Sequence, residues 1–220
     1  MLWLQLSGGT FPTGGFNHSY GLETYLQTDA VKNSKDLEEF LNVQLDVLCN
    51  SDVIFLKESF QAMNKNDDVY LVQLQDYYSA LKVETEIVQA SLKTGRSFLN
   101  GILPLFSGDV HRALEKLDHL GIRQFPIVYG ATSAILSLPL EETIDTYLYS
   151  SLSSLVHVAT RIMPLGQTEA QKLIRMLQNN IMNIYLDYQQ LTLDDVSVFS
   201  PGLQLASMKH ETLFSRLCMS

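Results

Sequence analysis

Hydrophobic residues recur along most of the chain at the three- and four-residue spacing of a helix face. The clearest stripe follows Ser34, which stands at the expected N-cap, and consists of Leu37, Phe40, Leu41, Leu45 and Leu48. A second stripe has small residues at its centre and consists of Ile87, Ser91, Gly95, Phe98 and Ile102. Because small side chains let a neighbouring helix approach closely, this second stripe predicts a tight helix contact.

Two further helices are predicted in the second half of the chain. One follows Pro139 and carries an apolar stripe at Ile144, Tyr147, Leu148, Ser151, Leu155, Val158 and Ile162. The other opens near Thr168, has Glu169 in its first turn and carries Leu173, Leu177, Ile181 and Ile184. The pattern contains no alternating strand, Asn-Gly hairpin or fixed-period repeat. The sequence therefore predicts an all-α fold, a single compact domain over 1–220 with about eight to ten helices.

Two segments lack the helical pattern. Residues 1–23 form an irregular, glycine-rich segment without charge until its last residue, and a helix is expected to begin near His18. Residues 194–220 form a C-terminal tail, in which Pro201-Gly202 interrupts the chain before a short amphipathic stretch. Chain ends are usually frayed, but both segments carry aromatic and histidine side chains. We therefore expect contacts that hold them in place.

Composition narrows the class of protein. Of the 220 residues, 46% are hydrophobic, which suffices for one sizeable core, and 24 Asp and Glu against 15 Lys and Arg give a net charge of -9. An acidic chain is a poor match for nucleic acid or an anionic membrane. The uncharged stretches 1–22 and 124–140 are broken by glycine or proline, so neither predicts a membrane span, and no signal peptide is indicated. With Cys49 and Cys218 interpreted as reduced thiols, we expect a soluble, cytoplasmic protein.

The motifs that suggest chemistry are incomplete. The loop at 9–14 has the glycine spacing of a phosphate-binding loop, but Gly15 stands where lysine is required, so we interpret the glycines as a sharp turn. His210-Glu211 lacks the second histidine of a zinc-peptidase helix, because Phe214 occupies that position. His157 lies in an apolar run and is expected to be a hydrogen-bonded core residue. We predict no catalytic residues, no metal site and no bound cofactor, and hence a protein that is not an enzyme.

Three segments together resemble the signature segments of the UreF family of urease accessory proteins. They are 4–23 (LQLSGGTFPTGGFNHSYGLE), 161–171 (RIMPLGQTEAQ) and 207–217 (SMKHETLFSRL). They occur in the family's order and spacing, so the resemblance covers essentially the whole chain. The chain departs from common family patterns in three places, which are Gly8-Gly9 in place of Asp-Ser, Val88 in place of the arginine of Glu-x-Arg after Glu86, and Cys218 in place of an aromatic residue.

The resemblance implies an all-helical homodimer with no catalytic activity of its own. In the family, such a protein joins UreD (called UreH in some organisms) and the GTPase UreG. This assembly delivers nickel to apo-urease, whose active-site lysine must be carbamylated, and an internal passage for nickel through the UreF–UreD complex has been proposed. The chain would then act as the adaptor that recruits or regulates UreG, with nickel handled transiently by the complex.

The resemblance also implies which residues bind the partners. The first segment supplies Pro12, Gly14, Phe16, His18, Ser19, Gly21 and Glu23. Arg161 and His210 fall where the family has a basic residue and a histidine implicated in coupling to the GTPase, and Gly166, Gln167 and Gln171 occupy the family's turn and following helix. The tail supplies Met208, His210, Glu211, Phe214 and Arg216, and in the family it becomes ordered against UreD. An amphipathic tail agrees with this role, because its apolar side chains need a groove.

Three alternatives stay open. A direct nickel chaperone would hold the metal at His18, Cys49 or His210. A small-molecule-binding all-α enzyme would use the glycine loop and His18. Arg161 also has a purely structural interpretation, since a cation in a last helical turn stabilises the helix by about 0.3–1 kcal/mol through its dipole.

Overall fold

The chain folds into α-helices joined by short turns. A computed structural model describes residues 2–9, 11–82 and 84–219, without the side chains of 3, 16, 185–187 and 189. The helices are α1 (Leu2–Leu6), α2 (Leu22–Gln27), α3 (Ser34–Asn50), α4 (Asp52–Asn64), α5 (Asp68–Leu81), α6 (Thr85–Ile102), α7 (Gly108–His119), α8 (Phe125–Ile135), α9 (Leu140–Ile162), α10 (Gln167–Gln189) and α11 (Pro201–His210). Short 3₁₀ turns cover Gly15–Asn17, Leu103–Leu105 and Leu193–Asp195. The all-α prediction is confirmed.

Most predicted helices lie where the periodicity placed them, with small corrections at their starts. Helices α9 and α10 begin at Leu140 and Gln167, as expected. The N-cap of α3 is Asn33 rather than Ser34, because the Asn33 side chain accepts hydrogen bonds from the amides of Lys35 and Asp36 at 2.9 and 3.1 Å. The prediction of Ser34 as the cap was therefore wrong by one residue.

Two other expectations are corrected. No regular helix begins near His18; a 3₁₀ turn ends at Asn17 and α2 begins only at Leu22, after Gly21 at a φ of 88°. His157 is exposed on α9 rather than part of the core, and its Nδ1 lies 2.7 Å from the carbonyl oxygen of Ser153. An apolar run on a long helix therefore did not predict burial of every residue within it.

Helix α8 runs through the centre of the fold, against α4 and α6. Residues 126–134 are all buried. Small residues permit these contacts, since a Cβ at Gly95 of α6 would overlap the carbonyl oxygen of Arg123, and a Cβ at Gly130 would overlap that of Leu56. The tight contact predicted for the small-residue stripe is confirmed. Cys49 is fully buried.

A buried carboxylate ties three helices together. Asp52 of α4 accepts hydrogen bonds from the hydroxyls of Tyr147 on α9 at 2.7 Å and Tyr78 on α5 at 3.0 Å, and the ammonium of Lys82 lies 3.4 Å away. Burial, reinforced by the Asp52 charge, raises the pKa of both tyrosines well above the usual value, so both remain donors at neutral pH. This network fixes how α4, α5 and α9 meet.

The two irregular segments lie together at one side of the fold. Helix α11 packs against α2 and α6, and the Gly15–Asn17 turn packs against α9. The helix begins at Pro201 itself, whose missing N–H costs nothing in a first turn. Within the described ranges, no helix combines the length and apolar character needed to cross a bilayer.

Candidate functional site

A buried histidine lies where α2, α6 and α11 meet. His210, in the last turn of α11, has a relative exposure of 0%. Its Nδ1 lies 2.8 Å from Oε2 of Glu86 on α6, and its Nε2 lies 3.1 Å from Oε2 of Glu23 on α2. We call His210, Glu23, Glu86 and Arg216 the histidine cluster.

Both ring nitrogens of His210 face carboxylates, and this arrangement requires a proton in each contact. A neutral imidazole has one N–H donor and one lone pair, so it donates to only one of the two carboxylates. Arg216 donates a hydrogen bond to Oε1 of Glu86 at 3.3 Å. The two carboxylates therefore face one imidazole and one guanidinium.

The tail is docked on Glu23. Its carboxylate accepts hydrogen bonds from the amides of Leu217 at 2.7 Å and Cys218 at 3.0 Å. Two more bonds attach the tail nearby, from the amide of Met219 to the carbonyl of Asn17 at 2.7 Å and from the Gln27 side chain to the carbonyl of Ser215 at 2.8 Å. The expectation that the tail is held in place is confirmed, and its contacts come from the first segment, from Gln27 of α2 and from Glu86 of α6.

The ionised form of Glu23 is favoured at this place. Burial alone raises the pKa of Glu23, but the Leu217 amide, His210 and the Cys218 amide together outweigh burial and bring the pKa below its usual value. Glu23 also lies in the first turn of α2, where a helix dipole favours negative charge. The charge that holds the tail is therefore present throughout the neutral range.

Gly21 and the Thr24 hydroxyl allow α2 and α11 to pack closely. Gly21 has a φ of 88°, and a Cβ there would lie 3.2 Å from the Cβ of Ala206. The Thr24 hydroxyl donates to the carbonyl of Ala206 at 2.8 Å. The sharp turn predicted for the loop at 9–14 agrees with the positive φ of Gly14, 75°. Gly21 permits the close approach of α11.

Arg161 lies at the corner between α9 and α10. It lies exposed in the last turn of α9. Burial and the Glu23 charge raise the pKa of the Cys218 thiol to about 11, and the positive charge of Arg161 opposes them.

His18 and Ser19 are internal. Burial, followed by the charge of Lys93, lowers the pKa of His18 to about 4, so this ring is neutral at physiological pH. The amide of Glu23 donates to the Ser19 hydroxyl at 3.4 Å, which supports the start of α2. Both side chains are therefore buried parts of the first segment and do not form its surface.

The predicted partner-binding residues divide by exposure. Those buried are His18, Ser19, Gly21, Glu23 and His210, and those exposed are Pro12, Gly14, Arg161, Gly166, Gln167, Gln171, Met208, Glu211, Phe214 and Arg216. The side chain of Phe16 lies outside the described residues. None of the described contacts joins Gly166, Gln167 or Gln171 to the histidine cluster. Partner binding by these residues stays a prediction, and the buried ones act on a partner through the residues they hold in place.

Glu86 was missed as a site residue. The sequence suggested only that it lacks the arginine two positions later, which is Val88 here. Its cation is instead Arg216, 130 residues further along the chain. No local spacing signals a pair so distant.

The alternative nickel ligands do not converge. Nδ1 and Nε2 of His210 point to opposite sides of the ring, so Glu23 and Glu86 do not join it around one ion. In the part of the chain that the structure describes, no three His, Cys, Asp or Glu side chains are arranged to hold a metal. Burial also raises the pKa of the Cys49 thiol far above its usual value, which disfavours the thiolate that metals bind.

Comparison with known proteins identifies the family. A sequence model of the UreF family matches residues 31–178. The urease accessory protein UreF of Sporosarcina pasteurii is 35% identical over 202 residues, covering 90% of this chain and 100% of the relative. Those of Lachnoclostridium phytofermentans and Paenarthrobacter aurescens are 32% and 31% identical, covering 99% and 98% of this chain and 96% of each relative. The chain therefore belongs to the UreF family of urease accessory proteins.

Proposed function

We propose that this chain is a non-catalytic adaptor, acting as a homodimer, that binds UreD (UreH) and recruits or regulates the GTPase UreG during nickel delivery to apo-urease. The observation that carries the proposal is a set of exposed apolar side chains on an ordered base. These are Leu205 and Met208 on α11 and Phe214 and Leu217 in the tail. Nickel is then cargo of the complex, and the chain needs no resident cofactor.

An exposed apolar surface of this kind favours a protein partner. Burying one large apolar side chain contributes about 1.5–3 kcal/mol, and a partner that covers several of them gains enough for a stable complex. The histidine cluster holds α11 and the tail in place before binding, which lowers the ordering entropy that a free tail loses on association. In this proposal the buried residues of the signature segments hold α11 and the tail in place, and the exposed residues contact the partner.

The first experiment is co-expression of this chain with UreD and UreG from the same source, followed by affinity capture and light scattering. Removal of residues 201–220 is expected to abolish the complex. Because this removal also deletes His210, the sharper variant is Phe214→Ser, which changes an exposed side chain. Val69→Ser on α5, also an exposed apolar residue, is the matched control. Equal capture of all variants would refute the tail as the binding element.

Arg161 tests the coupling to UreG separately. Arg161 is exposed at the end of α9, and Arg161→Ala removes its charge. We expect normal complex assembly with UreD and reduced activation of apo-urease in a reconstituted assay with nickel, bicarbonate and GTP. Normal activation by this variant would leave Arg161 only its helix-terminal role.

A further inference from the structure

A cavity of about 80 Å³ lies between the glycine-rich first segment and helices α3, α6 and α9. Aliphatic hydroxyl groups make up most of its polar wall. They belong to Ser7, Thr13, Thr94, Ser150, Ser151 and Ser154. Since one water occupies about 30 Å³, the cavity has room for a few waters or for one solute of similar total volume. We call it the hydroxyl cavity.

One of these hydroxyls is buried without a partner. Thr94 on α6 has a relative exposure of 3%, and its Oγ1 has no hydrogen-bond partner in the described ranges 2–9, 11–82 and 84–219. Buried polar atoms are nearly always paired, because loss of hydration without a new hydrogen bond is unfavourable. A ligand in the hydroxyl cavity that bonds to Thr94 removes this penalty.

The hydroxyls on the α9 side of the cavity already donate, but they can still accept. Ser150 donates to the carbonyl oxygen of Tyr147 at 3.1 Å, and Ser154 donates to that of Ser150 at 2.7 Å. The Tyr147 hydroxyl donates to Asp52 at 2.7 Å. Each of these oxygens keeps lone pairs, whereas Thr94 can both donate and accept. The wall therefore suits a ligand whose polar groups do both as well.

The charges around the cavity favour an uncharged ligand. Among the described residues, Asp52 is the only charged side chain that lines it, and the ammonium of Lys82 lies 3.4 Å from its carboxylate. A cation would therefore meet a carboxylate that is already balanced, and an anion would meet no positive charge in the wall. The apolar part of the wall consists of Leu6, Leu48, Phe125 and Leu155. It suits the C–H groups of a small organic molecule.

We propose that the hydroxyl cavity binds a small uncharged polyol with a chain of two or three carbon atoms. Alcohol hydroxyls both donate and accept, as Thr94 and the α9 serines require, and the carbon chain lies along the leucines. The bound molecule bridges the first segment to α6 and α9. This inference is independent of the proposed adaptor function, since it concerns the isolated chain.

The probe is ethane-1,2-diol, titrated into the full chain with ¹³C-labelled threonine methyl groups and followed by NMR. The Thr13 and Thr94 signals should shift and saturate below about 0.1 M, an affinity that four ligand atoms can reach. Thr132 is the matched control, because its Oγ1 is also buried without a partner among the described residues but it does not line the cavity. Its signal should not shift. Shifts that never saturate, or that are equal at Thr132, would overturn the proposal.

Thr94→Val keeps the shape of the side chain and removes its hydroxyl. It should weaken diol binding, measured at the Thr13 methyl, by about three- to tenfold, whereas Thr132→Val should leave the affinity unchanged. Ser154→Ala removes a hydroxyl from the α9 side and should weaken binding in the same way, so the test does not depend on one variant. Equal affinity of the wild type, Thr94→Val and Ser154→Ala would show that the cavity holds only water, and would overturn the proposal.

Thermal unfolding gives a second readout. At about ten times the dissociation constant, the diol should raise Tm of the wild type and Thr132→Val by about 2–4 °C more than that of Thr94→Val. Sucrose is the control solute, because it is too large for the cavity and acts through its exclusion from the protein surface. It should shift all three chains equally. Equal responses of the three chains to the diol would contradict a site at Thr94.

Discussion

Glu23→Gln is the substitution that tests the tail-docking site most directly. Glutamine keeps the shape of glutamate but is neutral. The Glu23 carboxylate accepts hydrogen bonds from His210, Leu217 and Cys218 at 3.1, 2.7 and 3.0 Å. Charge-assisted hydrogen bonds are roughly twice as strong as neutral ones, so each of the three loses about 1 kcal/mol. We expect the free energy of unfolding to fall by about 2–3 kcal/mol and Tm by about 4–12 °C.

The pH dependence of this difference follows from the pKa of Glu23. The folded chain holds that pKa below its usual value of 4.5, so the ionised carboxylate contributes stability above that value. As the pH falls through the lowered pKa, the wild type becomes protonated at Glu23 and loses the contribution. The two chains should therefore differ fully at pH 7 and converge in strong acid.

Urea unfolding monitored by circular dichroism at a series of pH values measures the difference, and hydrogen exchange locates it. The amides of Leu217 and Cys218 should exchange at least about tenfold faster in the variant, whereas amides in the middle of α8 keep their protection. Equal protection of the tail amides, or a stability difference that does not change with pH, would refute the assignment of Glu23 as the anchor.

Four other substitutions, one of which is a control, probe the surrounding fold. Gly21→Ala should lower the free energy of unfolding by about 1–3 kcal/mol through backbone strain, and further through the contact with α11. Gly14 is also at positive φ but has open space around it, so Gly14→Ala should show the effect of strain alone. Thermal unfolding measures both. Lys57→Met removes an ammonium that caps the C-terminal end of α10, and should lower the urea midpoint by an amount equivalent to about 1–2 kcal/mol. Tyr147→Phe leaves Asp52 without its 2.7 Å hydrogen bond and should cost about 1.5–3 kcal/mol in the same assay.

The helical framework was predictable because helix periodicity is a local signal. The stripes after Ser34, after Pro139 and from near Thr168 each predicted a helix, and α3, α9 and α10 lie there. Errors arose where one side chain decided the outcome. The choice of Asn33 over Ser34 as a cap depends on which short polar side chain reaches the free amides, and both residues have the required chemistry.

The composition of the site was only partly predictable. Family resemblance identified Glu23, His210 and Arg216 as residues of interest, but not that two of them are buried against each other. The bonds of His210 join residues 124 and 187 positions away, and no spacing in a sequence encodes such a contact.

The separation in sequence between Glu23 and the tail also affects when the tail docks during folding. Its amide partners are 194 and 195 residues away, so the bonds close a loop that includes most of the chain. Contacts of such high sequence separation form late in folding, after the helices between them have packed. We expect the partner surface to exist only on chains whose core is complete, so that half-folded molecules are not drawn into the urease assembly.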